Sequence, residues 1–145
     1  MSGITDPTEE YFKDGLWGWD GSRWRKLGLI FGYYDRLVGQ AAYYDATAGD
    51  HTLESTAVPT GELWVVQQVS SINMNTAVTK IRLGVTTEST GCGLKDEVPA
   101  AADQWVTWGG QITLKEGDKI YVIFYGCNAG DDIILRWWGY KVSVT

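Results

Sequence analysis

Polar and apolar positions alternate in short runs along most of the chain, and few stretches carry the i, i+3, i+4, i+7 spacing of an amphipathic helix. The cleanest run is Val78 to Thr86, where Ile81, Leu83 and Val85 alternate with Lys80, Arg82 and Gly84. A period of two predicts a strand with one face in a core and one in water. Leu63 to Asn73 predicts a longer strand whose apolar face switches across Gln67-Gln68, the mark of a β-bulge. Ala42 to Asp45 and His51 to Val58 read as short strands around the turn Thr47-Ala48-Gly49-Asp50. Pro59-Thr60-Gly61-Glu62 is a turn, with proline at a position whose φ it pre-sets. Thr87 to Ala102 reads as a long connection holding Cys92 and Pro99. Gln104 to Lys115 is another strand region, and Glu116-Gly117-Asp118 turns the chain into the strand Lys119 to Tyr125. Asn128 to Asp131 is the next turn, and Asp132 to Val144 closes the chain as a strand. About eight strands at this spacing predict an all-β fold, an antiparallel sandwich or barrel. The connections at 87–102 and near 46–50 suit Greek-key crossings, which makes a jelly roll the expected architecture.

The first third of the chain differs. Residues 1 to about 15 are polar and acidic and end in Tyr11-Phe12, which predicts a flexible leader with at most a short turn over Thr8 to Asp14. Leu16 to Leu27 follows, rich in tryptophan, with Asp20-Gly21 at its centre. That dipeptide predicts a two-residue hairpin turn, setting Trp19 opposite Ser22 and Trp17 opposite Trp24. Trp17, Trp19 and Trp24 would then share one face, and Leu16, Gly18, Arg23 and Arg25 the other. A hairpin of this size is marginal alone, so its indoles need a cover. Leu29 to Tyr34 is a short apolar run, a strand or an extended crossing. The expected division is an arm over residues 1–28 and a sandwich over 29–145.

Near the end, Ile120 to Tyr125 and Ile133 to Trp138 are apolar on both faces. A sandwich strand with one wet face should alternate. The second face therefore predicts a cover, either the amino-terminal segment or another copy of the chain. Self-association is favoured, with Tyr121, Ile123, Tyr125, Ile134, Trp138 and Tyr140 as the interface.

Composition narrows the function. The chain has 145 residues, the size of one ordinary domain, with eight Trp, eight Tyr and 18 Gly. A net charge of −6 argues against nucleic acid, which needs a basic surface to displace counterions. Arg23, Arg25 and Lys26 form the one basic knot, read as a solvated or partner-facing hairpin face. No apolar run has membrane-spanning length and the start resembles no signal peptide, so synthesis in a cytoplasm and no membrane partner are expected. Cys92 and Cys127 lie far apart beside glycines and read as loop thiols, with a disulfide left open.

Little in the chain carries chemistry. His51 is the single histidine, flanked by Asp50 and Thr52, and reads as a surface residue rather than part of a triad or zinc site. Asn128, Asp131 and Asp132 offer oxygen ligands to calcium but are first of all turn formers. Glu9-Glu10 and Asp96-Glu97 sit in polar stretches that would not separate two carboxyl pKa values. The expectation is no enzyme, no cofactor and no metal. Trp105, Trp108, Trp137 and Trp138 remain, either as a stacking platform for sugar rings or as core and interface residues.

The stretch Gly15-Leu16-Trp17-Gly18-Trp19-Asp20-Gly21-Ser22-Arg23-Trp24-Arg25-Lys26-Leu27 resembles a segment of tailed-bacteriophage virion proteins that links an extended amino-terminal region to a β-rich domain. Ala57 to Val66 and Leu114-Lys115-Glu116-Gly117-Asp118 are similar to the same group. The strand, Glu-Gly-Asp, strand feature is also shared with trimeric jelly rolls of the tumour necrosis factor and C1q type. In size and layout the chain is closest to capsid decoration, or cement, proteins. That resemblance implies a homotrimeric jelly roll on the capsid surface of a virion, with an amino-terminal arm reaching neighbouring subunits or the major capsid protein. Tyr11, Phe12, Leu16, Trp17, Trp19, Arg23, Trp24 and Arg25 would then be the arm's partner-binding residues. The alternative is a tail-fibre or baseplate jelly roll that binds a host receptor, a sugar among the candidates.

Overall fold

The computed structural model describes residues 17–19, 22, 24–26 and 35–143. The chain divides into two compact units, Met1–Asp35 and Arg36–Thr145.

In the first unit, β1 (Trp17–Trp19) and β2 (Trp24–Lys26) form an antiparallel hairpin. Trp19 pairs with Trp24, Gly18 with Arg25 and Trp17 with Lys26. The expected two-residue turn is therefore corrected: the connection spans residues 20–23, and Trp17 does not face Trp24. Four-residue closures around a type I turn are also common, and this register brings two β-favouring aromatic residues to one cross-strand position. Tyr11, Phe12, Leu16, Arg23 and the run 29–34 lie outside the described residues.

The remaining strands are β3 (Asp35–Ala46), β4 (Gly49–Glu54), β5 (Glu62–Asn73), β6 (Lys80–Thr87), β7 (Thr90–Glu97), β8 (Val106–Leu114), β9 (Lys119–Cys127) and β10 (Asp131–Ser143). They form two four-stranded sheets, ordered β3-β10-β5-β8 and β4-β9-β6-β7. The pairs β10–β5, β5–β8, β4–β9, β6–β9 and β6–β7 are antiparallel. Only the β6–β7 connection stays within a sheet; every other link between consecutive strands from β3 to β10 crosses to the opposite one. That winding is a jelly roll, as the sequence predicts.

The two inner faces meet in one core. Trp64, Val66, Val69, Leu114, Ile133, Leu135 and Trp137 from the first sheet are buried with Ile81, Leu83, Val85, Ile120, Val122 and Phe124 from the second. Alternation along β6 and β9 puts these residues inward. The bulge expected in β5 falls at Gln67, which is skipped in the pairing with both neighbours: Val66 and Gln68 pair with Gly139 and Trp138 on one side and with Ile112 and Gly109 on the other. A Cβ at Gly139 would collide with the Val65 carbonyl oxygen, so the bulge fixes glycine there.

Three boundaries depart from expectation. The long connection over 87–102 contains β7, joined to β6 by Glu88-Ser89. Both residues take positive φ, 49° and 66°, the mirror-image turn that suits a tight hairpin, but without the glycine or asparagine that announces it. β3 starts at Asp35 rather than Ala42, because an edge strand with mostly exposed positions shows no strong alternation. β4 stops at Glu54; Ser55 and Val58 instead donate to the carbonyls of Ile120 and Asp118.

Candidate functional site

On β10, Ile133, Leu135 and Trp137 point into the core, while Arg136 and Trp138 are exposed on the outer face of the β3-β10-β5-β8 sheet. Trp137 fits because Gly39 on β3 has no side chain: a Cβ there would collide with the indole.

The register across β10, β5 and β8 then builds a polar row. Trp138 pairs with Gln68, and Ser70 pairs with both Arg136 and Thr107. Trp138 Nε1 donates to Gln68 Oε1 at 2.6 Å, and Gln68 Nε2 donates to Ser70 Oγ at 3.1 Å. Ser70 Oγ lies 3.1 Å from Thr107 Oγ1. Arg136 reaches the other way, its Nε donating to Gln40 Oε1 on β3 at 2.8 Å. Its guanidinium carbon stands 5.1 Å from the ring centre of Trp105, within cation–π range.

These side chains border a groove of about 660 Å3, lined by Arg36, Val38, Trp105, Thr107, Arg136 and Trp138 among others. Trp105 and Trp138 are 44% and 46% exposed, an unusual state for two large indoles on one sheet face. Among the described residues, the lining includes two guanidinium groups and no carboxylate, in a chain whose net charge is −6.

The outer face of the other sheet is closed. Tyr121 is buried against its own neighbours: a Cβ at Gly84 would lie 2.5 Å from the Tyr121 ring, so glycine there is what admits it. Burial pushes the Tyr121 hydroxyl pKa up. The Lys80 ammonium covers Tyr125 at 4.7 Å from the ring centre. Arg82 forms a two-pronged ion pair with Asp96, both bonds 2.8 Å.

Of the six residues expected at an oligomer interface, Tyr121 and Ile134 are buried within the single chain. Ile123, Tyr125 and Tyr140 are half-buried, and Trp138 is exposed. Among the expected arm residues, Trp17, Trp19, Trp24 and Arg25 sit on the paired strands β1 and β2. Of the four tryptophans read as a sugar platform, Trp105 and Trp138 border the groove and Trp137 contributes to its lining. Trp108 packs, partly buried, against the core. Sequence spacing does not mark Gln68, Ser70, Thr107 and Arg136 as site residues, because what joins them is cross-strand register. The polar Gln67-Gln68 inside an apolar strand was the one local signal.

The turn chemistry expected near residue 130 is present. The buried Asp131 carboxylate accepts hydrogen bonds from Asn73 Nδ2, Thr76 Oγ1 and the Asn128 N–H at 2.7–2.8 Å. Burial raises its pKa, but the three donors together outweigh burial and hold it below the usual aspartate range. Asp132 accepts from the Asp45 N–H, so both carboxylates brace corners. His51 Nε2 lies 2.6 Å from the Thr47 carbonyl oxygen, which makes it a donor, and its ring meets Tyr43 edge-on. Cys92 and Cys127 are free thiols, on β7 and β9 rather than in loops. Burial, with the charges of Asp131 and Asp50, pushes the Cys127 pKa up to about 11 and keeps it unreactive at neutral pH.

No protein-family model matches the chain, and no curated protein matches it in sequence. Among solved structures it is similar to a chain in the acidic stable capsid structure of Helicobacter pylori bacteriophage KHP30. The TM-score is 0.55 at 15% identity, over 77% of this chain and 95% of that one. It also aligns with a chain described under "CBM4 structure and function", with TM-score 0.33 and 15% identity, over 72% of this chain and 82% of that one. The first likeness is one of fold: this chain is a jelly roll of a kind that also occurs in a bacteriophage capsid structure.

Proposed function

We propose that this chain is a structural component of a bacteriophage virion, a decoration subunit that trimerises on the capsid and clamps neighbouring subunits with its amino-terminal arm. The observation that carries this reading is the match between its jelly roll and almost the whole length of a phage-capsid chain, 95% of it. The separate amino-terminal unit with its tryptophan hairpin supports the clamp. Tryptophan is over-represented among residues that dominate interface energies, and an arm tethered to a docked body binds at high effective concentration. Trp138 and the half-buried Tyr140 on β10 are the side chains offered to other copies.

The test is co-sedimentation with capsids of the phage that encodes it. The full chain is expected to pellet with capsids, and a chain lacking residues 1–27 is expected to stay folded and self-associated but remain in the supernatant. A full chain that leaves capsids undecorated would overturn the reading.

A further inference from the structure

Four strands end the two sheets, β3 and β8 in one, β4 and β7 in the other. Among the described residues, each leaves one side of its backbone without a neighbouring strand. Such an edge pairs with any extended chain that reaches it, unless something guards it. Three of the four are guarded. β7 carries Lys95, Asp96 and Glu97. Lys95 Nζ is ion-paired to Glu97 at 3.0 Å and also donates to the Thr107 carbonyl oxygen on β8 at 2.9 Å. β8 is interrupted at Gly110-Gln111, which its pairing with β5 skips between Gly109 and Ile112. β4 has only six residues, Asp50 and Glu54 among them, and its register against β9 shifts between Gly49 and His51.

β3 lacks these devices. It is twelve residues long, contains neither lysine nor proline, and holds no charged residue from Leu37 to Tyr44. Leu37 and Ala41 pack on the core, which fixes the strand in place. Alternation then leaves Val38, Gln40, Ala42 and Tyr44 on the outer face, with Val38 66% and Tyr44 59% exposed.

What fits this edge follows from its charge and its symmetry. In a chain of net charge −6, an uncharged stretch is where a second copy can approach without setting like charges against each other. A basic or acidic partner would find no counter-charge there. Antiparallel pairing of a strand with itself is self-complementary: the outward N–H and carbonyl groups of each copy meet those of the other about a twofold axis. A register centred on Gln40 sets Val38 of one copy opposite Ala42 of the other, on the same face, twice over.

We propose that the free edge of β3 pairs antiparallel with β3 of a second copy, joining the two β3-β10-β5-β8 sheets into one across a twofold axis. This contact is isologous, so it is distinct from a threefold contact and links one trimer to the next. A single strand pair is weak in free solution and gains from copies already held side by side. It does not depend on the capsid reading, since a chain that never decorates a shell can still pair through β3.

The test is hydrogen–deuterium exchange on the full chain at low and high protein concentration, with sedimentation velocity on the same samples. Every second amide from Leu37 to Tyr44 is expected to exchange about 10-fold or more slowly at the high concentration, while the β8 edge keeps one rate. A doubling of mass should accompany that protection. Val38→Lys combined with Ala42→Lys, both at exposed positions, should abolish the protection and the doubling and leave any trimer and the circular dichroism spectrum intact. If that variant misfolds, the exchange of the parent chain decides alone. The proposal fails if the β3 amides exchange at one rate at every concentration. Fast exchange throughout would mean an open edge, and slow exchange throughout would assign it to a segment of the same chain. It also fails if a folded lysine variant keeps the protection.

Discussion

The outer faces of the two sheets began with the same problem and solved it differently. β9 and β10 both carry apolar residues on two sides. On β9, the glycine at position 84 lets Tyr121 sink into its own sheet, and Lys80 covers Tyr125, so that face closes within one chain. On β10, Trp138 and Arg136 border an open groove with Trp105, and nothing in the sandwich covers them fully. An apolar strand is thus no evidence of a partner until its cross-strand neighbours are known. Small neighbours seal it, and large polar neighbours hold it open.

Removing the two aromatics is the sharpest way to separate the faces. Tyr121→Ala should cost about 3 kcal/mol in urea unfolding, as it empties a filled site between Gly84 and Gly91. Trp138→Ala should cost under about 1 kcal/mol, since nearly half its surface is already in water. Equal costs would erase the distinction.

Gly39→Ala attacks the groove side from below. Its methyl would press on the Trp137 indole, and we expect a loss of about 2 kcal/mol together with altered tryptophan fluorescence. An unchanged midpoint would mean that β3 moves aside freely.

Acid should weaken the corner that joins β10 to the β5–β6 loop. Asp131 ionises more readily folded than unfolded, where its pKa is about 3.9. The unfolded chain therefore binds the extra proton, and this stabilisation is complete above that value and is lost as pH falls below it. Urea midpoints measured from pH 6 to 2 should fall, and Asp131→Asn should flatten the lower part of that curve. A parallel slope in the variant would assign the acid sensitivity elsewhere.

The smallest effect belongs to Arg82–Asp96 on the closed face. With side chains 38% and 45% exposed, a double-mutant cycle should give only a weak coupling that shrinks with salt. A larger, salt-independent value would mean that this face is covered in solution.

Much of the sandwich was legible in the chain. β6 announced itself by strict alternation, the β5 bulge by Gln67-Gln68, and the corners by Gly49, Gly61, Gly117 and Gly130, all at positive φ. β7 was not legible, because Glu88 and Ser89 adopt a glycine-like turn under the constraint of the strands they join. The hairpin register slipped for a related reason: Asp20-Gly21 fits inside a four-residue closure as well as forming a two-residue one. The groove was half legible. Its tryptophans stand out by type, but Gln68, Ser70, Thr107 and Arg136 meet only because β10, β5 and β8 pair in one register, and spacing along the chain carries no trace of that.

The central claim is that this jelly roll works as one copy among several. Sedimentation equilibrium of the purified full chain across a wide concentration range tests it most directly. The account predicts the mass of a trimer; a single species at the 16.1 kDa of one chain, up to the highest concentration reached, would contradict it.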